Sequence, residues 1–288
     1  MRPYEGLLTA MVTPFGADGR VDESAAVALG RHLLANGSDG LVICGTTGEA
    51  ATMSDEEHIG LVALMASELG EEAVIVGGTG SNDTRHAVEL TERAVAAGVD
   101  ATLAVAGYYN KPNQRGLRKH YEEVARASQG VPVILYNIPS RTAVNMPPAF
   151  LAELGQIDGI EAVKQANGAE LELVEGLALL AGNDGDLARV LDLGGAGGIC
   201  VASHVVGPQM KRLFEEPEQR AEIDASLRDV YDALFITASP APTKAALKLL
   251  GHDAGGLRLP LVECDEAELA VIRDVLAAHG LLEGAPAR

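Results

Sequence analysis

Residues 73–107, AVIVGGTGSNDTRHAVELTERAVAAGVDATLAVAG, contain the pattern that decides the fold of this chain. Two apolar runs, 73–80 and 101–107, flank a stretch whose apolar residues follow helical spacing after Asn82, a residue type that often caps a helix start. The runs do not alternate with a period of two, which is typical of strands buried on both faces of a parallel sheet. This stretch therefore predicts one strand–helix–strand unit whose helix is opened by Asn82.

The same unit recurs on both sides of this stretch. Six more apolar runs rich in Val, Ile and Leu are separated by amphipathic stretches, and they span 6–12, 40–45, 131–138, 159–165, 177–182 and 197–203. One intervening helix carries a capping-box pattern, Ser54 followed by Glu57. Eight such units in succession predict an α/β fold, a (β/α)8 TIM barrel, with a doubly wound open sheet as the alternative.

The pattern changes after about residue 211, where Ala- and Leu-rich helical stretches follow one another and no further strand is predicted. We interpret these as helices appended to the barrel. The sequence thus predicts a catalytic barrel over 1–222 and a C-terminal helical region over 223–288. The last five residues, GAPAR (284–288), are predicted to be a frayed tail.

Charge and cysteine content exclude several classes of function. The formal net charge is −19, which disfavours binding to nucleic acid and to anionic membrane surfaces because both require clustered Lys and Arg. No apolar run approaches the ~18 residues of a membrane span, and the N-terminus lacks the features of a signal peptide. Cys44, Cys200 and Cys264 lie far apart without metal-binding spacing, so a reducing cytoplasm is expected.

Lys164 is the residue that indicates a reaction class. In a barrel of this kind the chemistry takes place at the carboxyl ends of the strands, and Lys164 lies within the sixth apolar run. An amine buried in a low-dielectric site loses hydration, so its neutral form, which attacks ketones, becomes accessible near pH 7. Lys164 could instead reach the rim and be solvated there or pair with a carboxylate. Thr47, Tyr109 and Tyr136 follow other strands at the same rim, and their hydroxyls could relay the protons that Schiff-base chemistry requires.

Five motifs together resemble the dihydrodipicolinate synthase family, in the N-acetylneuraminate lyase superfamily of class I aldolases. They occur in the same order over about residues 4–250, and they are GTTGE (45–49), YYNKP (108–112), YNIPSRT (136–142), GIEAVKQAN (159–167) and AGND (181–184). The resemblance implies a (β/α)8 barrel with a C-terminal helical region, in agreement with the pattern of strands and helices.

The resemblance also implies a mechanism. Lys164 matches the lysine that forms a Schiff base with pyruvate, whose enamine then attacks L-aspartate 4-semialdehyde to give 4-hydroxy-tetrahydrodipicolinate, a step toward diaminopimelate and lysine. Tyr136 matches the tyrosine that passes protons at the Schiff-base stage. Thr47 and Tyr109 complete the relay, with Tyr109 donated across a subunit interface. A homodimer or homotetramer is therefore implied.

The remaining site residues bind carboxylates in this family. Arg141 matches the guanidinium that binds the carboxylate of the semialdehyde, and Thr46 with the backbone around Gly182 and Ile199 matches the groups that hold the carboxylate of pyruvate. The resemblance implies no metal and no organic cofactor, because the Schiff base on Lys164 is itself the electron sink.

The chain departs from the lysine-inhibited branch of the family at its feedback site. Asn82 and His58 match that site, but Ala50, Asp55 and His86 stand where Ser, His and Glu usually occur, so weak or absent inhibition by L-lysine is expected.

Another departure follows the reactive lysine, where Gln165 and Asn167 replace the usual acidic pattern with amides.

Two alternative functions remain: a different pyruvate aldolase, either a 2-keto-3-deoxy sugar acid aldolase or an N-acetylneuraminate lyase, and a barrel that binds a ketoacid without turnover.

Overall fold

The computed structural model describes residues 2–282 and contains eight parallel strands that close into a barrel in sequence order. Each strand lies inside one of the predicted apolar runs, so the predicted α/β barrel is confirmed. The strands are β1 (Gly6–Ala10), β2 (Gly40–Ile43), β3 (Val74–Gly78), β4 (Ala101–Val105), β5 (Val133–Asn137), β6 (Ile160–Gln165), β7 (Ala178–Ala181) and β8 (Gly197–Cys200).

Helices follow the strands on the outside of the barrel and continue beyond β8. They are α1 (Glu23–Ala35), α2 (Asp55–Leu69), α3 (Thr84–Ala96), α4 (Gln114–Ala127), α5 (Pro139–Thr142), α6 (Pro148–Leu154), α7 (Leu187–Asp192), α8 (Ser203–Glu215), α9 (Arg220–Ser226), α10 (Arg228–Ala233), α11 (Ala241–Leu249) and α12 (Glu266–Ala278). The predicted tail 284–288 lies outside the described residues. Within residues 2–282, no helix is both long and apolar enough to cross a membrane.

Two helix starts test the predicted caps. The capping box of α2 is confirmed, because the Glu57 amide donates to Ser54 Oγ at 3.2 Å and the Ser54 amide donates to Glu57 Oε2 at 3.1 Å. The prediction that Asn82 opens α3 is wrong by one residue. Asp83 is the cap, since its carboxylate accepts from the Arg85 amide at 3.0 Å, while the Asn82 carbonyl accepts from Asn110.

The connection from β6 to β7 differs from the other seven units. It contains only a single 3-10 turn, Gly168–Glu170, and no α-helix over residues 166–177. The segment has Gly168 and Gly176 near its two ends, and glycine disfavours a helix. One side of the barrel is therefore covered by a short segment without an α-helix.

The interior of the barrel is filled by alternate residues of the strands, which form one buried cluster. The side chains that point into the barrel are those of Ile134 and Tyr136 on β5 and of Ala162 on β6. Lys164, two residues beyond Ala162, therefore points into the barrel at the carboxyl end of β6.

The C-terminal helices pack on the outside of the barrel. Ile223 of α9, Tyr231 of α10 and Ile272 of α12 belong to the same buried cluster as Leu7 of β1. The helical region after residue 219 divides into α9 and α10, with Leu227 between them at φ −106° and ψ 0°. The barrel and the appended helices thus share one hydrophobic core.

Candidate active site

Lys164 and Tyr136 face each other across neighbouring strands. They are register partners in the β5–β6 ladder, and Lys164 Nζ lies 4.3 Å from the centroid of the Tyr136 ring. Each side chain is only 6% exposed. The structure therefore brings the predicted nucleophile and the predicted proton-transfer tyrosine together inside the carboxyl end of the barrel.

The loop after β2 carries Thr46 and Thr47 and has a strained backbone. Cys44 and Glu49, at its two ends, both have positive φ, at 56° and 55°. Gly48 is needed between them, since a Cβ there would lie 3.2 Å from the backbone of Cys44 and from the Met11 carbonyl oxygen. In this loop Thr47 is buried and Thr46 is exposed.

A cavity of about 380 Å³ opens at this rim, and three of the predicted site residues, Thr46, Tyr136 and Arg141, line it. Arg141 lies on the short helix α5, whose first residue is Pro139. No carboxylate within residues 2–282 forms an ion pair with Arg141. Its guanidinium is therefore available to an anionic group that enters the cavity.

Gly182 directly follows β7, and Ile199 lies on β8. The Gly182 amide donates to the Gln165 carbonyl at 2.8 Å, and a Cβ on Gly182 would lie 2.7 Å from the Ala166 methyl group, so only glycine fits there. Ile199 is fully buried in the barrel interior. Its bulk supports the core, and only its backbone is a candidate to contact a ligand.

Of the four predicted catalytic residues, Tyr136 lines this cavity, Lys164 and Thr47 are buried, and Tyr109 is exposed to solvent. Its side chain is 89% exposed and its φ is +70°, an unfavourable backbone region for an aromatic residue. The preceding residue, Tyr108, lines the cavity instead. The loop thus directs one tyrosine inward and the next away from the chain.

Asp184 ties the ends of β7 and β8 together. One carboxylate oxygen accepts from the amides of Val201 and Ala202 at 2.9 and 2.8 Å. The other oxygen has no partner among the described residues. Burial raises the pKa of this carboxyl, while the two amides and the charge of Lys164 act in the opposite direction.

The same cavity continues away from Lys164 to a cluster of titratable side chains. His86 Nε2 lies 2.9 Å from Asp55 Oδ1, and His86 Nδ1 lies 3.0 Å from Ser81 Oγ. His58 completes this wall of the cavity, and its Nε2 lies 2.7 Å from the Gly78 carbonyl oxygen. Burial lowers the pKa of His58.

The sequence did not reveal a second buried lysine. Lys244 Nζ on α11 lies 2.8 Å from Glu49 Oε1 and donates to the Gly256 carbonyl at 2.7 Å. The available signal was its apolar setting in APTKAALKLLG (241–251), which resembles the setting of Lys164. Burial lowers the pKa of Lys244, and its bond to Glu49 opposes that effect.

Within residues 2–282, no group of three or more His, Cys, Asp or Glu side chains is arranged to hold a metal ion. The three cysteines are free thiols, with Cys44 and Cys200 buried and Cys264 half-buried.

Comparisons with known proteins show the family to which the chain belongs. A model of the Dihydrodipicolinate synthetase family matches residues 3–279. A 4-hydroxy-tetrahydrodipicolinate synthase of Synechococcus sp. (strain WH7803) is 42% identical, over 96% of this chain and 95% of the relative. A crystal structure of the enzyme from Cyanidioschyzon merolae with lysine bound has a TM-score of 0.94 at 36% identity, and it covers 98% of this chain and 100% of that one. The chloride-inhibited enzyme from Acinetobacter baumannii complexed with pyruvate has a TM-score of 0.92 at 33% identity, covering 96% of this chain and 99% of that one.

Proposed function

The chain belongs to the dihydrodipicolinate synthetase family, and from that premise we propose that it condenses pyruvate with L-aspartate 4-semialdehyde through a Schiff base on Lys164. The activity is that of a 4-hydroxy-tetrahydrodipicolinate synthase, a lyase of the class I aldolase type. The observation that carries the assignment of the nucleophile is the position of Lys164, which is buried against the Tyr136 ring at the carboxyl end of the barrel. Within residues 2–282 no carboxylate forms an ion pair with Lys164.

The electron sink of the reaction is the Schiff base itself. The neutral amine of Lys164 adds to the ketone carbon of pyruvate, and loss of one water leaves an iminium. The iminium draws electrons from the adjacent methyl group, which gives up a proton to form an enamine. The enamine carbon attacks the aldehyde carbon of the semialdehyde, and the aldehyde oxygen takes a proton to become a hydroxyl. The amino group of the substrate then attacks the iminium carbon, closes the ring and releases Lys164 as the amine.

We assign proton transfer in these steps to Tyr136, because its ring lies against the Lys164 amine that gains and loses the protons. We assign the rest of the relay to Thr47 of the same chain and to Tyr109 of a neighbouring copy. The exposed side chain and unfavourable backbone of Tyr109 support this role. A residue that completes the site of a neighbouring copy must point away from its own chain, and that requirement would explain both features. The proposal therefore includes a homodimer, alone or within a homotetramer.

Two carboxylates must be held in place during the condensation. We assign the carboxylate of the semialdehyde to Arg141, whose planar guanidinium lines the cavity and suits a bidentate contact. We assign the carboxylate of pyruvate to Thr46 and to the backbone near Gly182 and Ile199. With the free thiols of its three cysteines, the chain suits a reducing compartment, and we place it in the cytoplasm.

The alternatives receive less support. A ketoacid-binding barrel without turnover has no use for Tyr136 beside a buried lysine. An aldolase for sugar acids or for N-acetylneuraminate would bind a polyol chain, for which the guanidinium of Arg141 at the cavity is a poor match.

Borohydride trapping with pyruvate tests the nucleophile. We expect reduction to add the mass of one reduced pyruvate to the intact chain, with the modification on Lys164. A matched Lys164→Met variant should not be labelled. An unchanged mass of the wild-type chain would exclude the Schiff base. A coupled assay with pyruvate and aspartate semialdehyde, run beside 2-keto-3-deoxygluconate and N-acetylneuraminate, then separates the synthase from the two aldolases.

A further inference from the structure

The residues that follow Tyr136 and Lys164 in sequence, Asn137 and Gln165, are also register partners in the β5–β6 ladder. Because successive side chains of a strand point to opposite faces, Asn137 and Gln165 lie outside the barrel wall while Tyr136 and Lys164 lie inside it. Asn137 and Gln165 are almost completely buried, at 0% and 1% exposed. Burying an amide side chain without hydrogen-bond partners is costly, so these two side chains are expected to form specific hydrogen bonds.

The two amides bind each other directly. Asn137 Nδ2 donates to Gln165 Oε1 at 2.9 Å, and Gln165 Oε1 also accepts from the Asn167 amide at 3.0 Å. Asn137 Oδ1 accepts from the Met146 amide at 3.0 Å, and Asn137 Nδ2 reaches Asn145 Oδ1 at 3.0 Å. These bonds connect β5 and β6 on the outer face, directly behind Tyr136 and Lys164, which point into the barrel.

The network ends on a carboxylate that lies apart from Lys164. Asn145 Nδ2 donates to both oxygens of Glu170, at 2.9 and 3.1 Å, and Asn167 Nδ2 donates to Asn145 Oδ1 at 3.3 Å. Glu170 is the one ionisable member of this set of five side chains. The members of this network that neighbour the β5–β6 ladder are therefore neutral amides, and its one charge is held at the outer end.

We propose that Gln165 and Asn137 are positioning residues that hold Tyr136 against Lys164 across the barrel wall without placing a negative charge behind the reactive amine. The buried carboxylate of Asp184 already interacts with the charge of Lys164 from the end of β7. The neutrality of Gln165 matters because a second carboxylate, at 165, would further favour the ammonium form of Lys164, and only the amine is a nucleophile. The hydrogen bonds matter because the reacting groups must keep their register while the Schiff base forms and breaks. This inference rests on the proposed function of Lys164.

Two substitutions at Gln165 separate these two effects. Gln165→Glu keeps an oxygen that can accept from Asn137 and Asn167 but adds a charge, whereas Gln165→Met keeps the volume and removes the acceptor. Gln156→Glu adds the same charge at an exposed position and is the matched control. Asn145→Ala weakens the same network from a half-buried position and provides a second variant that should fold if Gln165→Met does not.

The readout is the rate of pyruvate-dependent borohydride trapping as a function of pH, with thermal unfolding measured in parallel. For Gln165→Glu we expect the acid limb of the profile to move up by about one pH unit with little change in the plateau. For Gln165→Met we expect a loss of about 10-fold at every pH, and for Asn145→Ala a smaller loss of the same kind. Gln156→Glu should match the wild type.

The outcomes are distinct from those of the proposed function. If the wild-type chain is not trapped by pyruvate, the proposed function itself fails. If the wild type is trapped and the folded variants keep its rate and its pH profile, the positioning role is wrong. If the rates fall only in proportion to the amount of folded protein, with an unshifted profile for Gln165→Glu, the network is structural and the inference is also wrong.

Discussion

Lys244 Nζ lies 2.8 Å from Glu49 Oε1, and almost no part of either side chain reaches solvent. The chain therefore contains two buried lysines, Lys164 and Lys244, and burial alone does not identify the reactive one. What distinguishes them is the partner. Each amine lies over an aromatic ring, Phe15 for Lys244 at 4.4 Å and Tyr136 for Lys164 at 4.3 Å. Lys244 is also engaged by a carboxylate and a carbonyl, whereas Lys164 forms no ion pair within residues 2–282.

Replacing Lys244 should damage stability before it damages chemistry. Lys244→Met leaves the Glu49 carboxylate buried without its cation, and we expect a loss of about 3–5 kcal/mol in the free energy of unfolding. Denaturant unfolding measures this loss. The double variant with Glu49→Gln should recover a large part of it, and a Lys244→Met protein as stable as the wild type would contradict the importance of this ion pair.

Lys164→Met should lose trapping by pyruvate while remaining folded.

Tyr109→Phe should slow turnover without unfolding the chain. Removing a hydroxyl from a proton relay typically costs 10²–10⁴-fold in rate, and this side chain is too exposed to support the core. Steady-state kinetics and circular dichroism check the two halves of the prediction.

A mixing experiment tests whether Tyr109 acts across an interface. Tyr109→Phe and Lys164→Met chains, each impaired alone, should regain about a quarter of wild-type activity after dissociation and random reassociation, because half of the dimers then hold one complete site. If the mixture is no more active than the two variants alone, Tyr109 acts in the site of its own subunit or lies outside the relay.

Arg141→Ala should affect the second substrate selectively. Loss of a guanidinium that binds a carboxylate should raise the KM for aspartate semialdehyde about 10²-fold or more. Borohydride trapping of pyruvate should remain near wild type, because the first half of the reaction does not involve that carboxylate. Arg141→Lys, which keeps the charge but not the planar fork, should be intermediate. An equal loss of trapping in Arg141→Ala would assign Arg141 to pyruvate instead.

L-Lysine should inhibit this enzyme weakly or not at all. Asp55 is the acidic group in the far part of the cavity, and His86 already lies 2.9 Å from it. A cationic ligand would have to displace that contact. The double variant Asp55→His with His86→Glu, which exchanges the positions of acid and base, should gain inhibition. An inhibition constant for the wild type at or below the micromolar range at neutral pH would contradict this prediction.

His204 should make stability depend on pH in a defined window. The buried ring accepts from the Val12 amide through Nε2 at 3.2 Å, so the ring must be neutral with its proton on Nδ1, 2.7 Å from the Val201 carbonyl oxygen. Burial lowers the pKa of His204 to about 4, below its ordinary value of 6.5. As the pH is lowered, His204 is therefore protonated in the unfolded chain at a higher pH than in the folded chain. The free energy of unfolding should fall as the pH drops from 6.5 to 4.

The size of this effect follows from the same shift. For a fully buried histidine with this pKa, the free energy of unfolding should be about 3 kcal/mol lower at pH 4 than at pH 7. Subtracting the pH–stability curve of a His204→Gln variant from that of the wild type isolates it from the other histidines. Parallel curves for the two proteins would exclude His204 as the source.

Much of the fold was predictable, because buried parallel strands have a distinctive composition. All eight strands lie within their apolar runs, and the runs extend beyond them because residues such as Cys44 remain apolar after the ladder ends. The cap of α3 was misplaced by one residue, since Asn82 and Asp83 are both good caps and only the backbone decides between them.

The site was predictable where a residue type is unusual in its place. Lys164 and Tyr136 stand out from an aliphatic strand, and the structure brings them together. The bond between Asn137 and Gln165 could not be foreseen, because it depends on the register of two strands and each residue is an ordinary polar residue at the end of its strand. The partner of Lys244 lies 195 positions away along the chain, at Glu49, and the sequence offers no sign of that pairing.

The outward position of Tyr109 has a consequence for how this enzyme would be assayed. A site that takes a relay group from a second chain is complete only in the associated species, so the activity per chain would fall once the protein is diluted below its dissociation constant. The barrel itself would stay folded under these conditions. Specific activity measured over a dilution series would then serve as a titration of subunit association.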